Sequence, residues 1–432
     1  MQSILPSPVP TTSPEAICPP SSPPAPVVVC PSALLLAFAT VPDPRRRQGT
    51  RFALPPILAL AVAAILSNHL SVLAIAEWGV SQCHDLLRTL GFADGVTPHQ
   101  STLQRIFRRL DPDALSKALT SHFATSEPTE AASRPRGSQA VAIDGKAQRG
   151  RLAFDPSGCP VHALSAFLHD RGIILAQEPI DPHPQAAEAL DTDADSKQPI
   201  DKGEAELSVA PDLIKRIDWH GRVLTGDALF CQRNLCQLVV DSGGDYLFIV
   251  KKNQPTLHED IRLLFDPPPG VALPLTDRRE AQTVDHGHGR QYDTRKLIAS
   301  TDLVGYSAWP YLAQVFRLER TWQLKGITKQ EVRYGITSLP VPIAGADRLL
   351  ELKRGHWGVE NCDHYVKDVV MGEDRSLIHL GNGPSVLSTL RDLALSLLHR
   401  AGHRAIASRL RYHCLHPEKA VALLVAKPNQ NA

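Results

Sequence analysis

No charge of either sign dominates this chain. Its 46 Lys and Arg against 45 Asp and Glu leave a formal net charge of +1, so nucleic-acid binding would have to come from local patches rather than bulk electrostatics. Paired cysteines are missing too. The eight cysteines, at 18, 30, 83, 159, 231, 236, 362 and 414, form no C-x-x-C, and the closest spacing is Cys231 to Cys236. A zinc ribbon or disulfide scaffold is thereby disfavoured, and a reducing cytosol fits. There is no long apolar run. The strongest, Phe52 to Leu66, is about 15 residues and is interrupted by Pro55 and Pro56, too short to span a bilayer. The N-terminus lacks a charged segment ahead of an apolar core, the mark of a signal peptide. There is no internal repeat. The expectation is a soluble, cytoplasmic protein with no membrane partner.

What is present is long and varied. At 432 residues, 43% apolar and 21% charged, the chain can hold two or three domains around a sizeable core. Residues 1–30 are dense in Pro and Ser and read as a disordered leader. Residues 31–125 read as a helical domain: a basic turn with Arg45, Arg46, Arg47 and Arg51, helices over Ile57–Leu66 and Val72–Trp78, and a third over Thr97–Asp111 with Thr97 as its cap. In that third helix Leu103, Ile106, Phe107 and Leu110 make one apolar stripe, and Gln104, Arg105, Arg108 and Arg109 face away from it. Arg105 and Arg108 are candidate DNA-phosphate contacts, or the solvated face of a bundle. Residues 126–139 are a polar linker.

From 140 to 402 the pattern is α/β. Strands are expected at A-V-A-I-D ending on Asp144, at Val161–Leu168, at Gly172–Pro179, at R-V-L-T-G-D-A ending at Asp227, and at D-Y-L-F-I-V-K. Helices are expected over Glu204–Ile217, Cys231–Asp241 and Ser385–Arg400. Residues 181–203 look like an acidic loop, residues 267–345 a β-rich insertion, and residues 403–432 a tail.

Asp144 and Asp227 each close an apolar strand and precede a small residue, Gly145 and Ala228, which leaves space for a metal or a phosphate. Read as one helix, Lys353–Lys367 puts Trp357, Glu360, His364 and Lys367 on one side and carries Glu360 toward the two aspartates. Three converging carboxylates raise one another's pKa and call for a cation. Mg²⁺ or Mn²⁺, bound through oxygen and as two ions, suits phosphoryl displacement. Lys146 and Arg149, just past the first Asp, and Lys251, Lys252, Asn253 and Gln254, beside the second, are candidate DNA contacts. Glu373 is a local rival for the third acid. His356, Glu360 and His364 could instead form a zinc site.

A-I-D-G-K-x-x-R-G, T-G-D-A-L-x-x-Q, K-x-N-Q-P, H-W-G-V-E-N and E-D-R-S … G-N-G-P, with D-P-R-R-R, A-I-A-E-W and R-I-F-R-R-L-D ahead of them, resemble the DDE-type insertion-sequence transposases of the H-repeat-associated group. The resemblance covers most of residues 34–400. It implies a ribonuclease-H-like α/β catalytic domain with an inserted β-rich subdomain, preceded by a small helical domain. It also implies metal-dependent cleavage at transposon ends and strand transfer, and Asp144, Asp227 and Glu360 fall on the catalytic and metal-binding positions. Lys367 keeps the family's spacing after the Glu, while Lys353 and His356 stand where relatives have a Tyr and an Arg that contact end phosphates; His356 and Lys367 thus join the DNA-binding set. The partners implied are double-stranded DNA (terminal inverted repeats and target) and further copies of the chain at synapsis. A transposase-derived, inactive DNA-binding protein is the alternative.

Overall fold

The computed structural model describes residues 32–46, 50–126, 134–148, 161–180, 202–270, 275–287, 290–324, 326–356 and 358–425. The leader 1–30, Arg149 and nearly all of the acidic loop lie outside the described residues.

Six helices come first: α1 (Ala33–Ala39), α2 (Leu54–Leu66), α3 (Val72–Ser81), α4 (His84–Thr89), α5 (Gln100–Arg109) and α6 (Pro112–Ser126). Helix α2 has Pro55 and Pro56 in its first turn, where no backbone donor is needed. It is buried on every side from Ile57 to Leu66, which marks a central helix rather than an amphipathic surface one. Helix α5 starts two residues later than a Thr97 cap would place it. Pro98 biases Thr97 toward extended backbone, and His99 caps instead, its Nδ1 accepting the Ser101 amide at 3.2 Å. The apolar stripe of α5 is buried as expected, with Arg105 and Arg108 exposed.

The middle of the chain builds one mixed sheet. Its elements are β1 (Gln139–Gln148), β2 (Val161–Leu168), β3 (Ile173–Ile180), α7 (Lys202–Lys215), β4 (Arg222–Gly226), a 3₁₀ turn (Ala228–Phe230), α8 (Arg233–Asp241), β5 (Asp245–Val250) and α9 (Pro255–Phe265). Then follow β6 (Arg279–Gly287), β7 (Arg290–Ser300), β8 (Gln314–Leu324), β9 (Ile327–Thr337) and α10 (Ala346–Gly355). The strand order is β3-β2-β1-β4-β5-β9-β8-β7-β6. Strands β1, β4 and β5 are parallel neighbours, and the remaining pairings are antiparallel. Every residue of β4 and β5 is buried, as strands covered on both faces must be.

The β-rich segment does not fold as a sheet of its own, because β9 pairs with β5 and extends the central sheet. Alternation along the strands sorts the core into two layers. Val141, Ile143, Leu224, Tyr246 and Phe248 face the layer containing α7, α8 and α9. Ala140, Val223, Leu247, Ile249, Phe316 and Leu318 face Leu349, Leu350 and Leu352 of α10.

After α10 come π-helical turns (Val359–His364 and Val366–Val370), a 3₁₀ turn (Glu373–Arg375), and α11 (Gly383–Arg400), α12 (Ile406–Leu415) and α13 (Pro417–Val425). Residues 403–425, read from the sequence as a tail, thus carry two helices. Both pack on α2, and α11–α13 share one apolar core with α1–α6. No helix among the described residues is long and apolar enough to cross a membrane, and the described cysteines, Cys83, Cys231, Cys236, Cys362 and Cys414, are free thiols.

Candidate active site

The parallel pairing of β1 with β4 runs through Val141↔Leu224 and ends at Ala142↔Thr225. Asp144 and Asp227 each lie two residues beyond that last pair. The same register therefore brings them side by side at the carboxyl ends of adjacent strands, where strands stand about 4.8 Å apart. Strand β1 does not stop at Asp144, as the sequence reading had it. It continues to Gln148, paired only with β2, and Asp144 faces Ser165 there. Its Oδ1 accepts the Gly145 amide at 2.9 Å and its Oδ2 lies 3.5 Å from His364 Nδ1. Asp227 is exposed and caps the 3₁₀ turn, its Oδ1 accepting the Leu229 amide at 2.9 Å.

The small residue after Asp144 serves packing rather than a ligand. A Cβ on Gly145 would run into the buried Glu206 carboxylate of α7, on the sheet face opposite Asp144. The loop after Asp227 is held from outside. Asn253 Nδ2 donates to the Ala228 carbonyl at 2.6 Å, and Gln254 Nε2 donates to the Cys231 carbonyl at 3.1 Å and to Gln232 Oε1 at 3.2 Å. Asn253 and Gln254 are therefore braces for the Asp227 loop, and the side-chain amides predicted to grip DNA are spent on protein. Lys251 and Lys252, just before them, are exposed.

The stretch Lys353–Lys367 is not one α-helix. Helix α10 ends at Gly355, where a Cβ would meet His169 Nδ1 at 2.5 Å, and the chain resumes as π-helix at Val359. The buried positions described after it are Val359, Asp363, Val366, Lys367 and Met371. Val359 packs on Ala142 and Phe167, and His364 approaches Asp144. The backbone at Glu360 is thereby bracketed on the Asp144 side of the sheet; its side chain, like all of Trp357, lies outside the described residues.

His356 is turned into the fold. Its Nδ1 is 3.2 Å from Thr225 Oγ1, and His169 Nε2 is 3.0 Å from the same hydroxyl. Burial, with the Lys353 charge adding, holds the His356 imidazole neutral far below its ordinary pKa. This is a correction: a neutral imidazole bonded to Thr225 is not a cationic phosphate contact. The zinc alternative loses its geometry as well, since His356 sits on Thr225 while His364 lies between Asp144 and Asp363. Lys353 is buried, and its ammonium is pulled down to about 8, by burial first and then by Arg333, with Asp227 opposing.

Two further residues predicted to bind DNA lie inside. Lys146 is 7% exposed, with Nζ 2.7 Å from both Asp368 Oδ1 and Glu373 Oε2. Lys367 is 1% exposed and paired with Asp392. Each side chain points into a closed ionic cluster, so neither ammonium is presented to solvent. Arg391 completes that cluster, its Nη1 3.6 Å from Glu373 Oε1 and its Nη2 donating to the Leu70 carbonyl at 3.1 Å. Glu373, the rival third acid, is thus a structural counter-ion, and the neighbouring cations hold it ionised despite its burial. Sequence reasoning missed this cluster; the signal was the run of charges at 363, 367, 368, 373, 391 and 392 inside otherwise apolar periods.

The cluster holds three cations (Lys146, Lys367, Arg391) and four acids (Asp363, Asp368, Glu373, Asp392). Burial raises both Asp363 and Asp392, the latter to about 7, so the surplus acid is accommodated by a proton on that pair. An acid raised above its unfolded pKa contributes stability that is complete below the unfolded value and is lost as pH rises through the folded one. The melting temperature should therefore fall between about pH 4 and pH 7, and Asp392→Asn, which removes the titration, should flatten that fall. An identical slope in the variant would remove Asp392 from the account.

Among the described residues no three His, Cys, Asp or Glu side chains close on one point. The donors that do come together, Asp144 and Asp227, are carboxylates, which suit hard divalent cations. The Transposase DDE domain model matches residues 198–395, and the DDE_Tnp_1-associated model matches residues 35–123. YncI of Escherichia coli O157:H7, named as a transposase candidate, is 26% identical over 375 residues, covering 85% of this chain and 87% of YncI. The H repeat-associated transposase candidate YhhI of E. coli K12 is 24% identical over 372 residues, 84% of this chain and 90% of YhhI. An uncharacterized protein in the dhlA 3' region of Xanthobacter autotrophicus is 28% identical over 307 residues, 70% of this chain and 92% of the relative. The piggyBac transposase of a synaptic complex with hairpin DNA aligns at TM-score 0.36 and 10% identity, covering 92% of this chain and 78% of that one, a level that does not by itself establish a common fold. The two models, in this order along one chain, and the H repeat-associated relatives give the conclusion: the chain carries a Transposase DDE domain over residues 198–395, with a DDE_Tnp_1-associated segment ahead of it.

Proposed function

We propose that this protein is a DNA transposase that cuts DNA at the ends of an insertion sequence and joins the freed ends to target DNA. The observation that carries the proposal is the register of β1 with β4, which sets Asp144 beside Asp227 at the carboxyl ends of two parallel strands. Strands β1–β5, in the order β3-β2-β1-β4-β5, then form the ribonuclease-H-like part of the sheet, and β6–β9 are its insertion. The domain limits follow as a helical segment 31–125, a linker 126–139 and a catalytic domain 140–402.

Asp144, Asp227 and Glu360 would hold Mg²⁺ or Mn²⁺, two ions by the usual logic of such sites, which when bound supply Lewis acidity toward the phosphodiester and an activated oxygen nucleophile. The chain's own contribution is position. The Asp227 loop is fixed by Asn253 and Gln254, and Asp144 is fixed by its bond to the Gly145 amide and by the pairing of β1 with β2. The partner is duplex DNA, the compartment is the cytoplasm at the nucleoid, and holding two ends at once requires at least two copies of the chain.

The test is end cleavage of labelled DNA carrying the inverted repeats that flank this chain's own locus. Glu360→Gln should abolish cleavage and leave repeat binding intact; loss of both would take Glu360 out of the catalytic set. Binding without cleavage by the unaltered protein in either metal would make it a DNA-binding derivative instead. Asn253→Asp, isosteric but without the donor to Ala228, should lower cleavage by about 10–100-fold, the usual range for partners of metal ligands. Unchanged cleavage in that variant would mean the Asp227 loop needs no brace.

A further inference from the structure

The row of functional residues along the sheet edge does not stop at the two aspartates. Strand β5 ends at Val250, which pairs antiparallel with Tyr334 of β9. The next step in that register opposes Lys251 to Arg333. Four consecutive strands, β1, β4, β5 and β9, thus present Asp144, Asp227, Lys251 and Arg333 in turn, over about 14 Å at the usual strand spacing. The β4–β5 register aligns Gly226 with Phe248, so Lys251 stands two residues farther out than Asp227, on the same face.

Lys353 ties this half of the row together from beneath. It is buried, and its charge is felt by Arg333, Asp227 and Lys251 alike. Arg333 is part-exposed and pairs with Glu331, at 2.8 Å from Nε to Oε1 and 3.0 Å from Nη2 to Oε2. Three cations therefore stand against the carboxylate of Glu331, next to an exposed carboxylate, Asp227. A buried ammonium below two accessible cations favours an anion above them, since desolvation strengthens its field.

Building on the transposase reading, we propose that Lys251 and Arg333 form a phosphodiester subsite beside the acids. The DNA strand that carries the scissile bond crosses the sheet edge from Asp144 and Asp227 toward β9, and the phosphate next to the reacting one is held between Lys251 and Arg333. This gives the inserted strands a function in substrate positioning: β9 delivers the arginine because it pairs with β5.

The experiment pairs neutralised phosphates with neutralised side chains. Single methylphosphonates, uncharged at one phosphate, are placed at each position within a few nucleotides of the cleavage site. They are cut by the unaltered protein, Lys251→Ala, Arg333→Ala and the double variant, each checked for an unchanged melting temperature. One position should cost the unaltered protein at least about tenfold, one charge-assisted contact, and should cost the double variant nothing more. Arg333→Lys should recover part of the loss. Two results would overturn the subsite: variants that cleave as well as the unaltered protein, or variants that stay as sensitive as it is at every position. If the unaltered protein cuts no substrate in Mg²⁺ or Mn²⁺, the transposase reading itself fails, and the subsite with it.

Discussion

One ammonium, the Nζ of Lys146, joins parts of this protein that lie far apart along the chain. It rises from β1 two residues after Asp144 and meets Asp368 and Glu373, more than two hundred residues later. Glu373 in turn faces Arg391 of α11, which reaches the backbone at Leu70 between α2 and α3. The strand bearing Asp144, the π-helical turns that follow α10 and the helical layer are thus fastened by one run of charge contacts. Such contacts add little net stability over an apolar core, because desolvation offsets most of the attraction, but breaking one leaves a buried charge uncompensated at about 3–5 kcal/mol. That asymmetry specifies register more than it adds strength. A slip of the π-helix by one residue would strand several charges at once.

The same asymmetry explains what sequence reading could and could not find. Strands β2, β4 and β5, and the buried stripe of α5, were legible because periodicity reports burial directly. The placement of Asp144 and Asp227 at neighbouring strand ends was legible because each follows an apolar strand run. Lys146 and Lys367 were misread. A lysine in a polar motif is exposed far more often than not, and nothing local shows that its counter-ions arrive from Glu373 or Asp392. Asn253 and Gln254 were misread for a related reason: their partners are carbonyls of the Asp227 loop, which a pattern of side chains does not display. The break between α10 and the π-helical turns was hidden by Gly355, which looks tolerable in an α-helix and in fact ends one.

The sheet accounts for the distribution of charge. A net charge of +1 gives no long-range pull on DNA, and on the proposed reading the charges that meet it are local: carboxylates on β1 and just past β4, cations just past β5 and on β9. Opposite signs on neighbouring strand ends would then keep the acids from repelling that substrate. Because β9 belongs to the inserted segment, the insertion is continuous with the catalytic sheet rather than appended to it, and the geometry of the two halves is fixed by ordinary ladder hydrogen bonds.

The central claim is that Asp144, Asp227 and Glu360 surround one metal site although they come from two strands and a π-helix. Replacing the divalent ion by Fe²⁺, which accepts the same oxygen ligands, and adding ascorbate with peroxide cuts the backbone within reach of the bound iron. Fragments mapped by mass spectrometry should end near residues 144, 227 and 360 together, and Mg²⁺ should suppress all three sets. Cuts near 144 and 227 without any near 360, or cuts scattered over other acids, would contradict the account.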